Sequence, residues 1–119
     1  MIVAGIGCRR LCPPEEIVAL VRRAQDLAGC VAQALAAPLF KRGEPGLADA
    51  AAMLGLPLRF IEEAALAAVQ DRCVSRSPVA ARATGVASVA EGSALAASGG
   101  PLLLPRIANA WATCALAGS

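Results

Sequence analysis

Histidine and tyrosine are absent from this chain, and lysine occurs once, at Lys41. Without histidine there is no Ser-His-Asp or Cys-His unit, and acid-base chemistry falls to Glu, Asp, Lys or Cys. Phe40, Phe60 and Trp111 are the only aromatics, too few stacking platforms for nucleic acid, and a formal net charge of +2 is too small for a phosphate-backbone footprint. No uncharged run reaches the ~18 residues of a membrane span. The longest, between Asp26 and Lys41 and between Glu91 and Arg106, are each broken by Gly or Pro. The first residues lack the basic region, apolar core and cleavage site of a signal peptide. A cytoplasmic protein is expected, with neither nucleic acid nor membrane as partner. The five cysteines (Cys8, Cys12, Cys30, Cys73 and Cys114) contain no Cys-x-x-Cys pair. Their odd number argues against a disulfide framework, and without histidine they supply no metal-ligand set. No metal and no cofactor are expected.

What is present reads as one domain over residues 1–119, long enough to bury roughly two-thirds of its unfolded surface. The chain opens Ile2-Val3-Ala4-Gly5-Ile6-Gly7-Cys8-Arg9-Arg10. A short apolar run ends in two glycines, two arginines follow, and Pro13-Pro14-Glu15-Glu16 opens a helix. Gly5 and Gly7 lack a Cβ, so a loop there can turn sharply and approach a ligand. Strand, glycine loop, cations and helix N-terminus in this order build an anion-binding corner at the carboxyl end of a strand. The full dinucleotide or mononucleotide fingerprint is not there, since no third glycine and no Gly-Lys-Ser follows. Arg9 and the helix start are expected to lower the pKa of Cys8.

Along the chain, strand-like and helix-like apolar runs alternate. Strands are predicted near Ile2–Ile6, Gln33–Ala37, Leu56–Phe60, Leu102–Leu104 and Ala112–Leu116. Helices are predicted from Pro13 to Gly29, over Leu47–Leu54, over Glu62–Val69, over Pro78–Thr84 and from Ser88 to about Ser98. Residues from Asp71 to Pro78 read as a loop, and a short turn through Asn109 makes the last two strands antiparallel. The fold class is α/β: a three-layer sandwich with a mostly parallel sheet of about five strands, the last two antiparallel.

Two further loops carry chemistry. Lys41-Arg42-Gly43-Glu44-Pro45-Gly46 follows the second strand and precedes a helix, where open α/β sheets bind ligands. Lys41 is a candidate anion ligand; Glu44 can pair with it or act as a base. A solvated turn that merely starts a helix would use the same residues. Ser88-Val89-Ala90-Glu91 fits a capping box, in which Ser88 accepts from a backbone N–H and Glu91 reaches back to the cap.

These residues carry a resemblance. Gly5-Ile6-Gly7-Cys8-Arg9, Lys41-x-x-Glu44-Pro45-Gly46-Leu47, Leu54-Gly55-Leu56-Pro57-Leu58, Thr84-Gly85-Val86-x-Ser88-Val89-Ala90-Glu91-x-x-Ala94-Leu95 and Thr113-Cys114-Ala115-Leu116-Ala117 occur in order. Together they resemble the cobalamin-biosynthesis family that comprises CobE and the C-terminal domain of CbiG. The resemblance spans almost the whole chain. It implies an α/β sandwich and a role in building the corrin ring, in the manner of the aerobic route. CbiG proteins open the δ-lactone of cobalt-precorrin-5A, but they carry further domains. Where many relatives have a Thr and an Asp before the lysine, this chain has Ala37 and Leu39. Where many have a lysine after the fourth strand, it has Arg106, which keeps the charge but is no deprotonated base.

The implied ligand is a precorrin or another corrin-precursor tetrapyrrole, a flat macrocycle fringed with carboxylates. A site for one needs cations and N–H donors around an apolar floor. The expected ligand-binding set is Gly5, Gly7, Cys8, Arg9, Lys41, Glu44, Ser88, Glu91 and Arg106, converging on one cleft. Three functions are compatible with it. The first is an accessory binder of the precorrin. The second is a lactone hydrolase with Glu44 or Glu91 as base toward water. The third is a docking module for another cobalamin-pathway enzyme, such as a methyltransferase.

Overall fold

The computed structural model describes residues 1–75 and 88–119 of the chain. Five strands form one sheet: β1 (Val3–Cys8), β2 (Ala34–Pro38), β3 (Leu58–Ile61), β4 (Leu102–Ala108) and β5 (Ala112–Ala117), in the order β3-β2-β1-β5-β4. β1 is central. It pairs parallel with β2 (Val3↔Ala34) and antiparallel with β5 (Ile6↔Cys114). β3 joins β2 in parallel, and β4 joins β5 antiparallel. The apolar run Val3 to Ile6 is therefore buried on both faces, as a central strand demands.

Among the described residues the helices are α1 (Pro14–Ala28), α2 (Pro45–Leu54), α3 (Glu63–Ala68) and α4 (Val89–Ser98). In α1, Pro14 sits in the first turn, where its missing N–H costs nothing, and Glu15 and Glu16 favour the positive end of the helix dipole. Ile17, Leu20, Val21 and Ala24 recur at helical spacing and are buried. Gly29 ends the helix at φ +69, and its N–H returns to the carbonyl of Gln25. Single turns of 3₁₀ helix cover Leu39–Lys41 and Gln70–Arg72.

Alternate residues of β1 divide the core. Ala4 and Ile6 pack with Ile17, Leu20, Val21, Leu47 and Ala50 beneath α1 and α2. Val3, Ala34 and Ala36 face the other way, toward Leu66 of α3 and Ala96 and Ala97 of α4. Three layers result, as the alternation of runs predicted. The α4 face is built from small residues for a steric reason. A Cβ on Gly5 would lie 2.0 Å from the Ala90 carbonyl and 2.6 Å from the Ala94 amide nitrogen. The missing side chain lets α4 lie directly on β1.

Several boundaries differ from the expectation. Gly5 and Gly7 are inside β1, which runs on to Cys8, so they do not form a loop. Pro57 stands ahead of β3, where its carbonyl accepts from the Leu35 N–H at 2.9 Å. β4 continues past Leu104 through Pro105 to Ala108 with two register shifts, so Arg106 lies within the strand rather than beyond it. An edge strand tolerates such a proline. Part of the loop expected from Asp71 is the second 3₁₀ turn. The helix predicted over Pro78–Thr84 and the block Thr84-Gly85-Val86 lie outside the described residues.

Candidate functional site

The carboxyl ends of β1 and β2 lie together, and the chain leaves both toward the α1–α2 layer. α4 starts on the opposite face, with Val89 beside Gly7. The β4–β5 turn lies beside this edge. Asn109 Oδ1 accepts from the N–H groups of Trp111 and Ala112 at 2.9 and 2.8 Å. Its Nδ2 donates to the Glu16 carbonyl at 3.1 Å, which ties the turn to α1. The Trp111 carbonyl then accepts from the Arg9 N–H at 2.9 Å.

Arg9 to Cys12 form a turn, closed by the Cys12 N–H on the Arg9 carbonyl at 3.3 Å. Leu11, its third residue, has φ +59. That place normally goes to glycine or asparagine, because a Cβ is strained there. The Leu11 N–H donates to Glu44 Oε2 at 2.9 Å. Glu44 is the residue before α2, yet its side chain does not cap its own helix; it reaches across to the other loop. Beneath it, a Cβ on Gly46 would lie 2.3 Å from the Cys12 carbonyl. The α2 start is thus seated against the β1–α1 connection.

Cys8 and Cys12 lie under this turn. Burial pushes the Cys8 thiol up to about 11; Lys41 opposes the rise, while Cys12 and Glu44 add to it. The sequence expectation of a lowered Cys8 pKa is corrected, because burial outweighs the nearby cation. Cys12 is raised for the same first reason, with Glu16 and Glu44 contributing. Both thiols are therefore poor nucleophiles.

On the α4 face, Ser88 caps the helix as expected: its Oγ accepts from the Glu91 N–H at 3.3 Å. The reciprocal half of the capping box does not form. The Ser88 N–H goes to Gln70 Oε1 at 3.3 Å. Glu91 is fully buried and faces four donors instead. Its Oε1 accepts from the N–H groups of Val74 and Ser75, both at 2.9 Å, and Oε2 from the Ser75 hydroxyl at 2.7 Å and the Arg106 N–H at 2.9 Å. Burial alone would raise this carboxyl. The bonds from Arg106, Ser75 and Val74 outweigh burial and hold its pKa below the ordinary 4.5. The irregularity in β4 has a use: where Pro105 and Arg106 together oppose the single residue Ala115, the Arg106 N–H turns toward Glu91.

Residues 2–117 match the family of the cobalamin synthesis G C-terminus. The chain belongs to this family. It is 38% identical over 122 residues to a CobE protein of a Sinorhizobium species, spanning 98% of this chain and 79% of that one. A crystal structure of CobE, a protein of the cobalamin (vitamin B12) biosynthetic pathway, superposes with a TM-score of 0.92. The two share 40% identity over 98% of this chain and 89% of the other. The cobalamin biosynthesis protein chiG of Agrobacterium tumefaciens gives a TM-score of 0.81 at 36% identity, covering 100% and 98% of the two chains. The chain is a cobalamin-biosynthesis protein.

In this member of the family, the residues singled out from the sequence separate into two groups at one edge of the sheet. Cys8, Arg9, Lys41 and Glu44 gather on the α1–α2 side, Gly7, Ser88, Glu91 and Arg106 on the α4 side. Gly5 lies deeper, buried under α4. Sequence reasoning missed Leu11, Trp111 and the donors from Val74 and Ser75. A leucine at positive φ carries no local signal, and backbone donors carry none either. Among the described residues, no group of three or more Cys, Asp or Glu is placed to hold a metal ion, and Cys8, Cys12, Cys30 and Cys114 are free thiols. No described helix is long and apolar enough to cross a membrane.

Proposed function

We propose that this protein binds a carboxylate-rich corrin precursor at the carboxyl edge of its sheet, as an accessory protein of the cytoplasm and in one domain over residues 1–119. The carrying observation is the company kept at that edge. Leu11, Phe40 and Trp111 are 77%, 52% and 37% exposed, large apolar side chains left in water on the three loops that meet there. Arg9, Arg10 and Arg42 are exposed on the same loops, with Lys41 half-buried among them. Apolar surface rimmed by cations suits a flat macrocycle with anionic arms. Binding is favoured over lactone hydrolysis by the state of the two carboxylates. Glu91 has four donors on its oxygens, and Glu44 is bonded to Leu11. The resemblance also places Ala37 and Leu39 where many relatives have a hydroxyl and a carboxylate, so negative charge is removed from beside Lys41.

Trp111 is the single tryptophan of a chain without tyrosine, so its fluorescence reports on this edge alone. Uroporphyrin, an octacarboxylate tetrapyrrole, serves as probe beside the precorrins of the pathway. Saturable quenching with a matching change in tetrapyrrole absorption is expected. Arg9→Ala and Lys41→Ala are each expected to weaken binding by ~1–3 kcal/mol, the range for a charged hydrogen bond. The loss shrinks at high salt where the contacts are exposed. Arg10→Ala matters less if Arg9 is the one facing the ligand. Unchanged affinity in a folded Arg9→Ala/Lys41→Ala double variant would refute the site.

A further inference from the structure

Three observations meet at Leu11. Its backbone is left-handed at φ +59, its side chain is 77% exposed, and its N–H is held by Glu44 Oε2 at 2.9 Å. A strained, β-side-chain-bearing residue in the αL region persists only where its surroundings over-determine it, and such residues cluster at ligand clamps. Nothing in the packing of the core calls for the strain. The Leu11 side chain buries little, and glycine or asparagine would make the same turn more easily. The strain has one visible effect. It points an apolar side chain and two arginines outward from the carboxyl end of the central strand. The part that holds it is also anomalous. Glu44 leaves its own helix uncapped to reach another loop, from a helix start that Gly46 lets seat against the Cys12 carbonyl.

We propose that Glu44 is a positioning residue: its carboxylate latches the Leu11 N–H, fixes the Arg9–Cys12 turn, and so presents Leu11 and Arg9 to an anionic macrocycle. This rests on the binding reading above and gives Glu44 a role other than that of a base. The charge of Glu44 gives the idea a sharp sign. A bystander carboxylate at this edge repels a polyanion, so its removal would tighten binding. A latch predicts the reverse for alanine. Glutamine supplies a carbonyl acceptor without the charge, so it keeps the latch and removes the repulsion.

The test compares wild type, Glu44→Ala, Glu44→Gln and Glu44→Ala/Leu11→Asn. Uroporphyrin binding is followed by tetrapyrrole absorption, and hydrogen exchange of the residue 11 amide by NMR. Glu44→Ala is expected to bind about tenfold more weakly, the loss of one charged hydrogen bond, and its Leu11 amide to exchange faster. Glu44→Gln is expected to bind at least as tightly as wild type, with the amide still protected. Glu44→Ala/Leu11→Asn is expected to regain the turn, because asparagine adopts the αL conformation unaided, yet to bind more weakly than wild type, because the apolar contact of Leu11 is gone. Tighter binding by Glu44→Ala, or equal damage in Glu44→Gln, overturns the latch. So does a Leu11 amide whose exchange is the same in wild type and Glu44→Ala. Should wild type itself fail to bind the probe, the binding reading falls, and the amide exchange still decides whether Glu44 holds the turn.

Discussion

Replacing Glu91 with alanine removes the acceptor shared by Val74, Ser75 and Arg106. The deletion leaves three backbone N–H groups and one hydroxyl without a partner. A buried donor left unpaired costs ~1–3 kcal/mol, and bonds to a charged acceptor lie at the upper end. The full sum does not apply. Val74 is 65% exposed, so water can reach its N–H, and bonds within one cluster are not additive. A loss of about 3–5 kcal/mol is expected from two fully orphaned donors and a resolvated remainder. A domain of this length is stable by roughly 6–18 kcal/mol, so the change removes a large share of that stability. With an unfolding entropy of ~2.1 cal/mol/K per residue, the midpoint falls by about 12–20 °C.

The same bonds set a pH signature. The folded-state pKa of Glu91 lies below the ordinary 4.5, so in acid the unfolded chain binds the proton first. The stability that Glu91 contributes is complete above the unfolded value and is lost as pH falls through the folded one. Thermal melts by far-UV circular dichroism, run from neutral pH into acid, read both effects. The gap between wild type and Glu91→Ala is expected to be widest at neutral pH and to narrow below about pH 4.5, because protonated wild type loses the same acceptor. Glu91→Gln keeps one acceptor oxygen but turns an NH₂ toward protein donors; it should lie near the alanine variant, with no narrowing of its own. A neutral-pH midpoint within about 3 °C of wild type would refute the hub, as would a gap that does not change with pH.

Gly5→Ala places a methyl against the Ala90 carbonyl and Ala94 nitrogen, so α4 must lift from the sheet. A destabilisation of about 2–3 kcal/mol is expected in urea melts, and an unaffected midpoint would contradict the close packing. Thiol labelling at mildly alkaline pH should be ordered by burial. Half-exposed Cys30 is expected to react first, Cys8 slowly, with its pKa near 11, and fully buried Cys114, pushed up to about 12, only on unfolding. Fast modification of Cys114 in folded protein would contradict its placement.

The sheet was legible because its signals are local and redundant. Val3 to Ile6 is apolar without alternation, which only a strand buried on both faces tolerates. Gly29, Gly55 and Gly99 each stop a helix at positive φ, where a side chain would be strained. β2 was legible only through topology, since an alanine-rich segment favours helix by propensity and is held extended here by partners on both edges. The extent of β4 was not legible at all. Pro105 reads as a stop, and its acceptance depends on the edge position and on the Glu91 carboxylate beside it, both set by tertiary structure.

The candidate site shows where reading by residue type fails. Glycine is selected for a turn, for a close ligand, or for a close helix, and the sequence Gly5-Ile6-Gly7 does not distinguish them. Space distinguishes them: Gly5 faces α4, so its missing Cβ serves the packing of the protein on itself. The position that needed glycine is four residues beyond Gly7, and leucine occupies it. A natural chain violates local preference where something other than stability is gained. The chain therefore carries small residues where the fold needs closeness and a large apolar residue where the backbone resists one. That inversion, at the carboxyl end of the central strand and within a hydrogen bond of Glu44, is why the β1–α1 turn rather than the glycine pair is the place to look for the ligand.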